Sequence, residues 1–198
     1  MIRIGIDESN YSPSLAGPCV VAVYTQRGQL MKGVKDSKVL NAKQRMQWYR
    51  KLSRHGDYVV TLAMPSDIAR LGIYAARNAA AKEAISRLVA NAPRNVPIHI
   101  HADTSLWYGL RKWARDNGYR IATRKGGNGW VWAASIFAKV NADAMIYGWG
   151  KLLPKWGPDF GRGSVRKCDK TLLQTVGPTP FHRGKGYAKE WWSKLLRK

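Results

Sequence analysis

The first residues carry the strongest constraint on the fold. Ile2, Ile4 and Ile6 alternate with Arg3, Gly5 and Asp7, the period-2 pattern of a strand with one apolar face. The strand runs into a loop over residues 9–18, rich in Ser, Pro and Gly, and then into the continuous apolar run Cys19 to Thr25. Gln26-Arg27-Gly28-Gln29 makes a turn, and a third strand is expected near Leu30 to Val34, so the opening reads as a three-stranded meander. Asn41 is placed to cap a helix reaching about Ser53, and Tyr58 to Ala63 reads as another strand. Pro65 to about Ala90 is helical in composition with a break at Gly72. Short strands are expected at Ile98–Ala102 and Tyr119–Thr123, with a helix over Ser105–Asn117 between them and a long helix over Trp130–Leu152 after them. Strands and helices alternate after the meander. That order predicts an α/β fold, a mixed sheet flanked by helices.

The chain changes character after Pro154, where Gly and Pro punctuate a basic segment. Residues 151–198 hold 12 Lys+Arg against 3 Asp+Glu. Helices near Lys170–Val176 and Ala188–Leu196 would make a small C-terminal helical lobe, giving a catalytic domain over residues 1–153 and a basic appendage over 154–198. The whole chain has 34 Lys+Arg against 12 Asp+Glu, a formal charge of +22. A field of that sign selects polyanions, because each neutralised phosphate releases condensed counterions. Nucleic acid is the expected partner. Cys19 and Cys168 are too few for a disulfide framework and read as free thiols. No apolar run approaches the ~18 residues of a membrane span, and the opening reads as a strand rather than a signal peptide. A monomer in the cytoplasm is the expectation.

With acids so scarce, their positions are informative. Asp7 and Glu8 close the first strand, and strand ends are where open α/β sheets build sites. Two adjacent carboxylates beside a polyanion would repel it unless a cation intervened, and hard oxygen donors select Mg²⁺ or Mn²⁺. A solvated acidic turn is the competing account. Asp103 ends the strand His99-Ile100-His101-Ala102 in the same situation, although a helix N-cap explains it equally well. Ser135, Lys139 and Asp143 fall at i, i+4 and i+8 of the long helix and share one face. Taken alone, that face is also compatible with a solvent-facing Lys–Asp pair.

Five segments in this order resemble the type 2 ribonuclease H family (ribonucleases HII and HIII). They are GIDESNYSPSLAGPCVVAV (residues 5–23), KGVKDSKVLNAKQR (32–45), HIHAD (99–103), WVWAASIFAKVNAD (130–143) and GPTPFHR (177–183). The resemblance implies a ribonuclease H-like, five-stranded mixed sheet. It also implies endonucleolytic cleavage of the RNA strand of RNA–DNA hybrids, leaving 5′-phosphate and 3′-hydroxyl ends. It carries over Asp7, Glu8, Asp103 and Asp143 as ligands of two Mg²⁺ or Mn²⁺ ions. It places Lys35 and Lys38 where the family grips the nucleic-acid backbone. Lys125 in a basic Gly-containing loop, Ser135 and Lys139 on the Asp143 face, and Arg183, for which capping or packing is the competing account, are further candidate contacts, as are Ser9, Asn10, Tyr11, Ser12 and Ser164 at positions where the chain departs from the family. The chain departs from the family pattern in three places. Ser9 to Ser12 replace a Gly-basic-Gly segment whose backbone reads ribose 2′-hydroxyls. Ser164 replaces a Tyr that stacks under a deoxyribose. Gly126-Gly127 stands where a Gly-Asp is usual. These departures leave cleavage at single embedded ribonucleotides open. A structure-specific DNA nuclease on the same fold and a non-catalytic basic binding module are the alternatives.

Overall fold

The computed structural model describes residues 1–10, 16–93, 95–103, 107–156, 175 and 181–183. The strands are β1 (Ile2–Ser9), β2 (Cys19–Thr25), β3 (Asp57–Ala63), β4 (Ile98–Ala102) and β5 (Arg120–Thr123). The helices are α1 (Ala42–Ser53), α2 (Pro65–Leu71), α3 (Ile73–Val89), α4 (Tyr108–Asp116) and α5 (Gly129–Leu152). The five strands form one mixed sheet in the order β3-β2-β1-β4-β5. Antiparallel pairs join β1 to β2 and β2 to β3, while β1–β4 and β4–β5 are parallel.

The meander forms, but with a different third member. Leu30 to Val34 is not a strand; Leu30, Met31 and Val34 instead pack into the apolar layer under α5, and Gly33 turns the chain at φ 84°. β3 takes the third place after the α1 excursion. The Asn41 cap is a full capping box: its side chain accepts from the Gln44 backbone, and the Gln44 side chain accepts from the Asn41 N–H. Gly72, at φ 79°, separates α2 from α3. The helices expected at Lys170–Val176 and Ala188–Leu196 lie outside the described residues except for Thr175, which is helical.

Strand alternation sends side chains to two cores. Ile4, Ile6, Val21, Val23, Ile98 and Ile100 face α2, α3 and α4, whereas Ala22 and Tyr24 face α1 and α5. Strand β2 is buried on both faces, which explains its unbroken apolar run. On the α5 side, Phe137 stacks against Tyr24 and Tyr58 at centroid distances of 5.5 and 4.2 Å. The N-terminus of α5 lies directly on β1 at Gly5, where a Cβ would stand 1.8 Å from the Trp130 carbonyl oxygen. No rotamer can relieve a clash with backbone. Gly5→Ala is therefore expected to cost about 3 kcal/mol or more, read as a lowered urea midpoint; an unchanged midpoint would mean that α5 does not sit on β1 in this way.

Candidate active site

The register of β1 on β4 brings the first acids together. Ile2 pairs with Ile98, Ile4 with Ile100 and Gly5 with His101. Two residues further along each chain, in the same register, stand Asp7 and Asp103. Adjacent residues of a strand point to opposite faces, so Asp7 shares the α5 side with Gly5 while Glu8 shares the α3 side with Ile4 and Ile6. From α3, Arg77 meets Glu8, with Nη1 3.7 Å from Oε1. The Arg77 guanidinium is fully buried and lies 3.9 Å from the centre of the Trp107 ring.

This arrangement strains the acids electrostatically. Asp7 is only 8% exposed; its burial, and then the charges of Glu8 and Asp103, hold its carboxyl well above the usual range. Burial pushes Glu8 up to about 7, although Arg77 works against the shift. Burial also raises Asp103. Lys38, exposed on the turn before α1, partly offsets the shift in all three. Glu8 Oε2 and Asp103 Oδ1 are buried without a hydrogen-bond partner. Crowded hard oxygens with unused lone pairs fit a divalent cation by their chemistry. Among the described residues no three acid, His or Cys side chains already converge as a finished cage, so binding an ion would require these side chains to turn toward it.

Asp143 has two cationic partners. Its carboxylate is held by Lys139 Nζ at 2.7 Å and by Arg45 at 3.6 Å, and its side chain is 44% exposed. The i,i+4 pair with Lys139 thus forms, on the face predicted from the helix period.

Several residues expected to contact nucleic acid have protein partners in the structure. Ser135 is buried: its hydroxyl accepts from the Ser37 N–H at 3.1 Å and donates to the Trp132 carbonyl, so it ties α5 to the Lys35–Lys38 turn rather than facing a phosphate. Arg183 is fully buried and donates to the carbonyls of Gly17 (3.1 Å) and Asn10, tying the end of β1 to the residues before β2. Asn10 holds a positive φ of 59°, and its side-chain amide donates to the Ala16 and Pro18 carbonyls, both at 2.9 Å. That amide is therefore engaged in shaping the loop. Ser9 ends β1 opposite Val20, half-buried. Lys35, Lys38 and Lys125 are exposed, as phosphate contacts must be. Tyr11, Ser12 and Ser164 lie outside the described residues. Among the tryptophans, Trp107 is fully buried and Trp113 partly so, while Trp132 donates Nε1 to the Gly126 carbonyl and steadies the basic 124–127 loop.

Arg77 and Arg45 were missed in the sequence. A signal existed for Arg77, which falls on the same helical face as Ala81 and Ala84, both fully buried. Nothing in the local pattern pairs Arg45 with Asp143, because that contact crosses from α1 to α5.

A family model described as Ribonuclease HII matches residues 4–185, nearly the entire chain. The chain belongs to the ribonuclease HII family. Similar curated proteins are the ribonucleases HII of Zymomonas mobilis, 31% identical across 92% of this chain and 82% of the relative, and of Campylobacter concisus, 28% identical across 90% and 89%. The fold is similar to that of a ribonuclease HII from Archaeoglobus fulgidus solved in complex with PCNA, with a TM-score of 0.75 at 22% identity over 99% of this chain and 97% of that one. As a member of the ribonuclease HII family, the chain is a metal-dependent ribonuclease H, an endoribonuclease of RNA–DNA hybrids.

The electrostatic strain predicts a stability effect. A carboxyl whose folded pKa lies above its unfolded one destabilises the fold as it ionises, so the cost is absent below about pH 4. It grows as pH rises through the interval that, for Glu8, ends at about 7. In chelator at pH 8, Asp7→Asn should therefore raise Tm by a few degrees, an advantage that vanishes near pH 4. The asparagine Oδ1 can keep the bond that Asp7 Oδ1 accepts from the Glu8 N–H. A lower Tm for the variant at pH 8 would contradict the assigned repulsion.

Proposed function

We propose that Asp7, Glu8, Asp103 and Asp143 form the metal-binding centre of this ribonuclease HII, and that the centre holds two Mg²⁺ or Mn²⁺ ions while the RNA strand of a hybrid is cut to 5′-phosphate and 3′-hydroxyl ends. The observation that carries the reading is the β1–β4 register, which sets Asp7 level with Asp103 and leaves buried carboxylate oxygens without partners. When bound, the ions supply an activated water and neutralise charge at the leaving oxygen. The chain's own groups do the rest. Arg77 favours the charged form of Glu8 inside an apolar wall, keeping it available as a ligand. Lys38, already within electrostatic reach of three acids, is placed to hold the phosphate next to the scissile bond. Lys139 and Arg45 orient Asp143 and occupy its oxygens until a cation competes for them. Lys35 and Lys125 extend the positive surface for the backbone, and the loop at Ser9–Asn10 lies beside the acids where the ribose would be read. Residues 1–153 would supply the catalytic unit, working as a monomer, with 154–198 as a basic appendage.

Asp7→Asn and Asp103→Asn should each reduce cleavage in Mg²⁺ or Mn²⁺ at least on the order of 100-fold while leaving salt-sensitive binding of the hybrid intact. The assay compares an RNA–DNA hybrid, a duplex with one ribonucleotide and an all-DNA duplex side by side. Normal cutting by Asp7→Asn would overturn the site, and cutting of all-DNA duplex alone would favour a DNA nuclease on the same fold.

A further inference from the structure

The sheet edge formed by β5 carries a cluster of charge that the carboxylate site does not use. Helix α4 returns antiparallel along β5 through a tight turn in which the Tyr119 N–H donates to the Ala114 carbonyl at 2.8 Å. Near the start of the helix, Arg111 Nη2 donates to Thr123 Oγ1 at 2.7 Å. Between the two elements lies a cleft of about 580 Å³ lined by Arg111, Lys112, Arg115, Tyr119, Arg120 and Ile121. Four of these six side chains are cationic. The neighbouring acid, Asp116, is engaged by Lys112 at 3.2 Å. Arg111 Nε is buried and has no hydrogen-bond partner. The Tyr119 ring is held edge-on by Trp113 at 5.6 Å, giving the cleft a fixed wall.

The spacing of these charges selects the ligand. Arg111 and Arg115 are one helical turn apart, about 6 Å, and Thr123 to Arg120 covers about 10 Å of strand. A single carboxylate would meet one of these cations. A sugar–phosphate backbone, with a charge every ~3.4 Å of axis on each strand, would meet several. The direction fits as well. Thr123 pairs with Ala102, the residue before Asp103, so the Arg111 end of the cleft lies at the same end of the sheet as Asp103, one strand over, and the Arg120 end leads away from it.

We propose that the α4–β5 cleft is a second phosphate-binding track, gripping the backbone of duplex that flanks the cleaved stretch. This inference rests on the nuclease reading above and concerns only how far the substrate is held beyond the acids. The probes are a hybrid of about 8 base pairs and one of about 24, with binding measured in chelator across a salt series. Arg115→Ala/Arg120→Ala should lower the slope of log affinity against log salt by about 2 on the long hybrid, leave it unchanged on the short one, and cut the short hybrid in Mg²⁺ at the wild-type rate. Arg50→Ala/Arg54→Ala, which removes two charges from the far end of α1, controls for net charge and should spare the slope. The track is overturned if the cleft variant binds the long hybrid like wild type, loses equally on both lengths, or is matched by the α1 control. If wild-type protein neither binds nor cuts the long hybrid, the nuclease reading fails and the track with it. If wild type does both and only the length effect is missing, the track alone falls.

Discussion

A helix can lie on a sheet at close range only where the sheet offers no side chain in its path. At Gly5 the Trp130 carbonyl occupies the space a Cβ would take, 1.8 Å from where that atom would stand. The helix seated there is 24 residues long, so one contact near its start sets the line of everything after it. Phe137 reaches the Tyr24 and Tyr58 rings, Ser135 meets the Ser37 backbone, and Asp143 is carried out to Arg45 of α1. At its far end Trp149 stacks on Phe181 at 4.1 Å. The absence of one methyl group thus aligns the acid-bearing helix with the acid-bearing strand.

Against a background of +22, crowding one buried and two half-buried carboxylates together looks paradoxical. Surface cations cannot resolve it, because solvent screens them and Lys38 offsets only part of the shift. At Glu8 one buried guanidinium does more than Lys38. Arg77 sits between Glu8 and the Trp107 ring, where aromatic contact replaces part of the hydration it gave up. The fold therefore keeps a permanent positive charge on the α3 side of the acids and leaves the α5 side to be neutralised from outside.

Much of this was legible in the sequence. The Ile2–Ile4–Ile6 alternation, the Asn41 cap, the Gly72 break and the long helix ending at Leu152 were all visible locally, because period and caps are short-range signals. Leu30–Val34 misled because its apolar residues serve a loop packed under α5, and composition alone does not separate that from a strand. The acids were legible as positions on strand ends and a helix face. Their meeting was not, since it depends on the β1–β4 register across almost a hundred residues. The same distance hid the partners of Arg183: the sequence leaves phosphate contact and packing both open for it, and only the fold brings residues 10 and 17 to its guanidinium.

That last contact couples events in time as well as in space. Arg183 bonds to Asn10 and Gly17, His182 bridges Ala16, and the Gly17 N–H donates to Phe181. Residues 181–183 are thus made some 170 residues after the segment they hold, which flanks the end of β1. During synthesis the strands and acids can assemble well before the loop is braced. A nascent chain therefore carries its charged centre without its finished rim, and these contacts arrive only once residues 181–183 are in place.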